Sequence, residues 1–139
     1  MRRRVREARV ARLATVTADG RPHVVPCCFA LDDGTDPGRL APGDVVYSAI
    51  DAKPKSTLAL RRLENLRANP ATSLLVDHYS DDWSALWWVR LDGAGRVAES
   101  GPERRRGLDL LAGKYEQYRR EPPPGPVVAI DVTGWRAWP

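Results

Sequence analysis

The segment that most constrains the fold of this chain lies near its N-terminus, where two β-propensive runs flank an Asp-Gly pair. Residues 12–26 read Arg-Leu-Ala-Thr-Val-Thr-Ala-Asp-Gly-Arg-Pro-His-Val-Val-Pro, and the apolar run that leaves the pair extends over Val24–Leu31. Asp-Gly supplies the positive φ angles that a tight hairpin turn needs. The sequence therefore predicts an antiparallel hairpin turning at Asp19-Gly20.

Further strands and helices are predicted along the rest of the chain. The remaining apolar and β-branched runs predict strands at Asp44–Ile50, Thr72–Tyr79, Leu86–Glu99 and Val127–Trp138, and Asp32–Gly43 is a turn-rich loop. Helices are predicted at Arg2–Val10, at a segment capped by Ser56 or Thr57 and ended by Asn69-Pro70, and after Pro102, where Leu108, Leu111, Tyr115 and Tyr118 share one face.

Six strands with only short helical insertions favour a mostly antiparallel β-barrel over a doubly wound parallel sheet, which needs regular strand–helix alternation. A chain of 139 residues is typical of one domain. We therefore expect a single domain over 1–139, with an N-terminal helix over 1–10, a barrel with helical insertions over 11–138, and two or three accessory helices in all.

The composition limits the classes of function and location. No apolar run approaches the roughly 20 residues of a membrane-spanning helix, and no apolar core follows the arginines at 2–6, so we expect a cytoplasmic protein without a membrane partner. The net charge of +4 favours anionic partners. All but three of the 22 basic residues are arginine, which is typical of a composition bias, so nucleic-acid binding is the least favoured interpretation.

Cys27 and Cys28 are adjacent in a predicted strand, so their side chains point to opposite faces. They are poorly placed to form a disulfide with each other, and no Cys or His partners stand at metal-ligand spacing. We interpret them as two small buried residues, with a reactive thiol pair as the alternative, and we expect no metal site.

The sharpest local signal for ligand binding is Lys53-Pro54-Lys55-Ser56-Thr57. Two ammonium groups precede a capped helix start, where unpaired backbone N–H groups and the helix dipole favour an anion. Arg61 and Arg62 lie one turn further and extend the positive face. A phosphate site is the functional interpretation, and an ordinary solvated helix start is the alternative.

A second constellation combines tryptophans with an arginine. On a strand, Trp87 and Val89 share one face while Trp88 and Arg90 share the other, so one tryptophan is core or interface and the other can stack on a planar ligand. Near the C-terminus, Trp135 and Trp138 are predicted to face opposite sides, and either can cover a neighbouring subunit. For Trp87 and Trp88 as well, burial in the core or an interface is the alternative.

Acid–base candidates are few. The chain has two histidines, and His78 stands with Tyr79 at a predicted strand end, where a proton donor for a substrate can lie. A hydrogen-bonded structural role is the alternative for each histidine. No Ser/His/Asp spacing, Walker loop or Gly-x-Gly-x-x-Gly is present, which argues against hydrolysis and nucleotide-triphosphate chemistry.

The order of these segments resembles the pyridoxamine 5′-phosphate oxidase-like split β-barrels, in particular the branch that depends on coenzyme F420, a deazaflavin. Besides 12–26, the segments that carry the resemblance are Asp-Ala-Lys-Pro-Lys at 51–55, Leu-Arg-Arg-Leu-Glu-Asn-Leu-Arg-Ala-Asn-Pro at 60–70, Leu-Leu-Val-Asp-His-Tyr at 74–79, Asp-Trp-Ser at 82–84 and Trp-Trp-Val-Arg at 87–90. They extend over nearly the whole chain.

The resemblance implies a homodimer with the cofactor in a groove between two barrels. It implies that Lys53, Lys55, Ser56 and Thr57, extended by Arg61, hold the cofactor phosphate, and that Trp87, Trp88 and Arg90 line the cofactor and substrate cleft. The Asp32–Gly43 loop is longer than is usual for this branch.

The implied activity is hydride transfer between reduced F420 and a small organic acceptor, with His78, Tyr79 or solvent as the proton source. Two alternatives remain open at this point. The same fold can bind FMN as an oxidase or flavin reductase, or it can store a cofactor or a haem-like ligand without redox chemistry.

Overall fold

The computed structural model describes residues 1–50 and 57–139, and the side chains of all of these except 57–60. The helices are α1 (Arg2–Glu7), α2 (Thr57–Ala68), α3 (Gly101–Lys114) and α4 (Glu116–Arg120), with a 3₁₀ turn at Trp83–Ala85. The strands are β1 (Ala11–Val16), β2 (Pro22–Cys27), β3 (Ala30–Asp32), β4 (Val45–Ala49), β5 (Ala71–His78), β6 (Trp87–Ala98) and β7 (Val127–Trp138).

All of these strands form one sheet in the order β2-β1-β5-β6-β7-β4-β3, and every neighbouring pair is antiparallel. The two edge strands, β2 and β3, are consecutive in the chain and are separated only by Cys28 and Phe29. Residues 27 and 30 are therefore at most about 11 Å apart, since successive Cα atoms are about 3.8 Å apart. The sheet has to curl until its edges meet, which makes it the split β-barrel that the sequence predicted.

The predicted hairpin is confirmed: Ala11 pairs with Cys27, Val16 pairs with Pro22, and Gly20 in the turn has a φ of 86°. The prediction of six strands is wrong, because the run Val24–Leu31 divides into β2 and β3. Side chains replace the ladder hydrogen bonds at the division. The Ser48 hydroxyl donates to the Cys28 carbonyl at 2.8 Å, and the Phe29 N–H donates to the Tyr115 hydroxyl at 3.1 Å.

The helices also differ from prediction. The described residues contain four helices rather than two or three, because the last predicted helix breaks at Tyr115, where φ is −116° and ψ is 117°. This break directs the Tyr115 hydroxyl to the β2–β3 division. Helix α1 ends at Glu7 rather than continuing to Val10, and Ala8 is already extended ahead of β1.

The sheet buries a different core on each side. Its inner face encloses Leu13, Leu74, Val76, Val89, Leu91, Val128 and Ile130 together with Val5 of α1 and with Leu63 and Leu66 of α2. Helices α3 and α4 cover part of its outer face, at β3, β4 and the first half of β7. In this second core, Leu111, Tyr115 and Tyr118 pack against the sheet residues Ala30, Tyr47, Val127 and Ala129. Helix α2 therefore lies on the inner side, and α3 and α4 lie on the outer side.

No described helix covers the rest of the outer face, on β2, β1, β5, the first half of β6 and the second half of β7. We call this region the open face. It carries Arg12, Val24, Leu75, Trp88, Arg90, Arg136 and Trp138. Val24 is 61% exposed and Trp138 is 57% exposed, so large apolar side chains meet solvent here.

Two glycines of α3 provide a matched test of how closely this helix packs on the sheet. A Cβ at Gly107 would lie 2.7 Å from Val127 Cγ1 and 2.8 Å from Tyr47 Cδ1, whereas a Cβ at Gly113 would meet no heavy atom within 4 Å. We expect Gly107→Ala to lower the free energy of unfolding by roughly 1–3 kcal/mol through overpacking. Gly113→Ala should raise it by up to about 1 kcal/mol through helix propensity. Urea denaturation of both variants measures the difference, and equal effects would show that α3 does not pack on the sheet at Gly107.

Candidate cofactor site

The predicted phosphate segment lies largely outside the described residues. Lys53, Lys55 and Ser56 are in the undescribed segment, and Thr57 is described only as the first residue of α2. Their assignment to a phosphate site stays a prediction.

The next turn of α2 holds two arginines in different environments. Arg61 is exposed, whereas Arg62 is partly buried, and its Nε is buried with no hydrogen-bond partner among the described residues. The charge of Arg62 acts on the Cys27 thiol, at the end of β2. A buried guanidinium N–H without a partner is costly, and it is a group to which a phosphate or carboxylate oxygen can bind.

Helix α2 is fixed on the inner side of the sheet by both apolar and polar contacts. Leu63 and Leu66 belong to the inner core, and the Asn65 amide donates to the Thr15 hydroxyl at 3.1 Å in a buried site. In the chain, this helix follows the predicted phosphate segment directly.

Trp87 and Trp88 point to opposite faces of β6, as the strand alternation predicts. Trp87 packs against the inner core, and the Arg4 guanidinium carbon of α1 lies 4.9 Å from its ring centre. Trp88 lies on the open face, directly opposite Trp138 of β7. Trp135 packs on the inner side, so the prediction that Trp135 and Trp138 face opposite sides is also met.

Arg90 lies next to Trp88 on the open face and is held in place by an acidic neighbour. Its Nε and Nη2 donate to the two carboxylate oxygens of Asp92 at 2.9 and 3.0 Å, and the Ser73 hydroxyl donates to the same carboxylate at 2.6 Å. These hydrogen bonds, from Ser73 first and then from Arg90, lower the pKa of Asp92. Asp92 and Ser73, which the sequence analysis did not single out, thus orient Arg90 on the open face.

The acid–base candidates lie at the end of β5. The His78 ring stacks on Trp87 with ring centres 6.2 Å apart, and Tyr79 is 65% exposed. Neither side chain has a hydrogen bond to a described residue, so both are accessible to a ligand and their catalytic roles stay predictions. His23 lies on the inner face opposite Thr15, and its Nδ1 is buried without a described partner.

The structure does not bring the predicted site residues together within one chain. Helix α2, with Arg62, lies on the inner side of the sheet, whereas Trp88 and Arg90 lie on its outer side. A cavity of about 360 Å³ elsewhere, between α1, β3 and α3, is lined by Arg6, Leu31, Asp36, Arg106 and Lys114, among others, and includes none of the predicted site residues.

The N-terminal arginines are held in contacts within the chain. Arg2 pairs with Asp44, Arg3 with Glu7, and Arg6 donates to the Thr35 hydroxyl. Arg4 lies on Trp87, and Arg9 lies on Tyr115 with its guanidinium carbon 4.7 Å from the ring centre. The basic N-terminal segment thus fastens α1 and the start of β1 to the barrel.

A buried lysine beside the β2–β3 division was not found by sequence reasoning. The Lys114 Nζ lies 3.9 Å from the Phe29 ring centre and is buried without a hydrogen-bond partner among the described residues. Burial, with Arg9 nearby, lowers its pKa from 10.5 to about 8. The periodicity offered a signal, since Lys114 is three residues after Leu111 and shares its apolar face.

The two cysteines are free thiols; Cys27 is buried and Cys28 is partly buried. Burial raises the pKa of the Cys27 thiol, which makes it unreactive at neutral pH. This agrees with two small, mostly buried residues and gives no support to a reactive pair. Across the described residues, no three His, Cys, Asp or Glu side chains are grouped as metal ligands.

Comparison with known proteins identifies the family. Residues 1–139 match the pyridoxamine 5′-phosphate oxidase family. The chain belongs to this family. The family resemblance predicted from the sequence is therefore confirmed at the family level. No match was found among curated proteins.

Solved structures of the same fold include three that are informative here. A conserved hypothetical protein of Mycobacterium tuberculosis, Rv2991, has a TM-score of 0.70 and 22% identity over 96% of this chain and 79% of its own. HutZ, a haem storage protein of Vibrio cholerae, has a TM-score of 0.68 and 17% identity, with coverages of 97% and 89%. An F420 reductase has a TM-score of 0.63 and 21% identity, with coverages of 94% and 91%.

These identities show a shared split-barrel fold, and the family includes oxidoreductases and flavin-binding proteins. The described helices include none that is long and apolar enough to cross a membrane.

The position of Lys114 generates a pH-dependent stability prediction. Its folded-state pKa of about 8 lies below the ordinary 10.5, so the unfolded chain binds more protons between these values and the lysine's contribution to stability rises with pH. The cost of burying the ammonium group is fully present below pH 8. We expect Lys114→Met to raise the free energy of unfolding at pH 7 by on the order of 1 kcal/mol, reduced from the full value of the pKa shift by solvent screening.

The extra stability of Lys114→Met over wild type should decrease as the pH rises from 8 to 10.5, because the wild-type lysine loses its charge in this range. Urea denaturation at pH 7 and pH 9.5 measures the change, with Arg105→Met, at an exposed position of the same helix, as the control. A Lys114→Met variant that is less stable than wild type at pH 7 would contradict the assignment of a costly buried charge.

Proposed function

We propose that this protein is an oxidoreductase that transfers a hydride between reduced coenzyme F420 and a small organic acceptor, with the cofactor bound in a groove between two copies of the chain. The observation that carries the proposal is the open face, where Trp88 and the anchored Arg90 are left uncovered. An aromatic surface beside a fixed cation suits a planar, anionic cofactor.

The described residues fit a phosphorylated deazaflavin in two places. Arg62 offers a buried Nε without a described partner, one turn into the helix that follows Lys53 and Lys55. Trp88 and Arg90 offer a ring surface and a fixed cation. The cofactor, when bound, supplies the two-electron hydride chemistry, and the protein aligns the reactants and excludes water.

A second copy of the chain joins these two places into one site. In one copy the sheet lies between α2 and Trp88, so a single ligand cannot contact both except around the β2 edge. Packing the open faces of two copies against each other places Trp88 and Arg90 of both copies at the interface, which the α2 region reaches around the β2 edge of its own sheet. Exposed Val24 and Leu75 suit such an isologous interface.

Proton delivery, where the acceptor needs it, is assigned to His78 or Tyr79. Both side chains lie at the end of β5, next to the β6 end that carries Trp87 and Trp88, and both are exposed. An imidazole can donate or accept a proton, whereas a phenol acts mainly as a donor.

Two other ligands compete for the same fold. FMN would make the protein an oxidase or flavin reductase. A haem-like ligand is the second candidate, favoured by the haem storage protein among the structural relatives, and His78 is an exposed imidazole that can bind its iron. The F420 reductase among those relatives supports the deazaflavin in the same way. We place F420 first among these ligands, because the basic residues predicted to bind phosphate in the Lys53–Arg62 segment suit a polyanionic cofactor.

Titration of the cofactor-free protein with F420, FMN and haemin tests the choice. We expect saturable binding with at least about tenfold preference for F420, which corresponds to roughly 1.4 kcal/mol. Lys55→Ala should weaken F420 binding about tenfold or more, because one charge-assisted hydrogen bond to phosphate is lost. Fluorescence of F420 and FMN, and absorbance of haemin, provide the measurements.

Arg105→Ala is the control, since it removes one charge from an exposed arginine that has no hydrogen bond or salt bridge to a described residue. It should leave the affinity unchanged. Preference for FMN or haemin would show that this ligand is bound in place of F420. An unchanged F420 affinity in Lys55→Ala would contradict the assignment of Lys55 to the phosphate site.

Subunit mixing tests whether two copies build each site. We expect Lys55→Ala and Trp88→Ala each to impair F420 binding as homodimers. If Lys55 and Trp88 of each site come from different copies, a heterodimer of the two variants contains one site with both substitutions and one intact site. Tightly binding sites should therefore reappear, at about one per heterodimer, when the unfolded variants are mixed and refolded together.

Residues acting from the same copy would leave one defect in every site, so no tight binding would return. Light scattering of the mixture provides the control that dimers have formed, and a monomeric wild-type protein would contradict the proposed assembly.

A further inference from the structure

Two pairs of like side chains stand side by side on the open face. Trp88 of β6 lies opposite Trp138 of β7, and Arg90 lies opposite Arg136 in the same antiparallel ladder. Cross-strand partners are about 5 Å apart, and residues two apart along a strand are roughly 7 Å apart. The four side chains therefore form a compact surface with an aromatic half and a cationic half.

The arginine pair is unfavourable unless an anion joins it, because like charges directly opposite each other destabilise a sheet. Asp92 accepts hydrogen bonds from both Nε and Nη2 of Arg90. Arg136 has no hydrogen bond or salt bridge to any described residue, although its charge contributes to lowering the pKa of Asp92. One carboxylate thus faces two guanidinium groups, which leaves a net positive charge at the centre of an exposed surface.

The aromatic pair is also open to a ligand. Trp138 is 57% exposed, Trp88 is partly buried, and no described helix covers either. Tryptophan faces stack on planar rings, and an exposed tryptophan beside a second one is uncommon on a surface that binds nothing.

We propose that this surface binds the acceptor of the proposed reaction, and that the acceptor is a planar aromatic molecule that carries a carboxylate. This inference rests on the proposed function and adds the substrate class to it. The acceptor's ring stacks on Trp138, and its carboxylate accepts hydrogen bonds from Arg136, next to the cofactor that the proposed function assigns to Trp88 and Arg90.

Calorimetry with a matched pair of probes tests the proposal. We use 2-naphthoate and 2-naphthamide, which share a ring system and differ in charge. Wild-type protein should bind the carboxylate about tenfold more tightly than the amide, as expected for one hydrogen bond to a charged group. Arg136→Gln should abolish this preference, whereas Trp138→Leu should weaken the binding of both probes to a similar degree.

Arg105→Gln is the matched control and should keep the preference. Equal affinity of wild type for the two probes, binding of neither, or an undiminished preference in Arg136→Gln would overturn the proposal. Loss of the dimer in Arg136→Gln by light scattering, with the preference retained, would instead show that Arg136 binds a carboxylate of the second copy.

F420 titration of Arg136→Gln separates this inference from the proposed function. Retained F420 binding with a lost carboxylate preference supports both. If wild-type protein binds naphthoate selectively but does not bind F420, the result would support the anion-binding surface and contradict the F420 assignment.

Discussion

The structure depends on one covalent constraint, the two-residue connection between the edge strands β2 and β3. A sheet whose first and last strands are joined by Cys28 and Phe29 alone cannot remain open, so it closes on itself. The closure is reinforced by Ser48 and Tyr115, which satisfy the backbone groups that no longer have a ladder partner. Burial of the hydroxyl raises the pKa of Tyr115 to about 12, which keeps it neutral and able to serve both as donor and as acceptor.

Closure gives the sheet an inner and an outer side, and the helices are divided between them. Helix α2 adds Leu63 and Leu66 to the inner core, while α3 and α4 cover only part of the outer surface. The uncovered part is the open face, which carries Trp88 and Arg90. The proposed site therefore depends on this division, because α2 and these residues lie on opposite faces of the sheet.

Local patterns were sufficient to predict the strands, the first hairpin and the opposite orientations of Trp87 and Trp88, because turn chemistry and strand alternation act over a few residues. The division of β2 from β3 was missed because its cause lies far away: the Tyr115 hydroxyl bonds the N–H of Phe29, 86 positions earlier. The pairing of Arg90 with Arg136 depends on a register shift at Asp92 and Gly93, which local propensity does not encode. Asp92 was missed for the same reason, since its role depends on Ser73 across the ladder.

The division of the proposed site between two sides of one sheet has a consequence for the chemistry. In the proposed dimer, a ligand that contacts both the α2 region and the open face binds where two copies meet, which would link cofactor binding thermodynamically to dimer formation. Each stabilises the other by mass action, and the apparent affinity for the cofactor depends on protein concentration near the dissociation constant of the dimer. In the proposed dimer, association would bury the exposed apolar residues of the open face and would also enclose the anion that balances the charge of Arg136, so one event would account for both features.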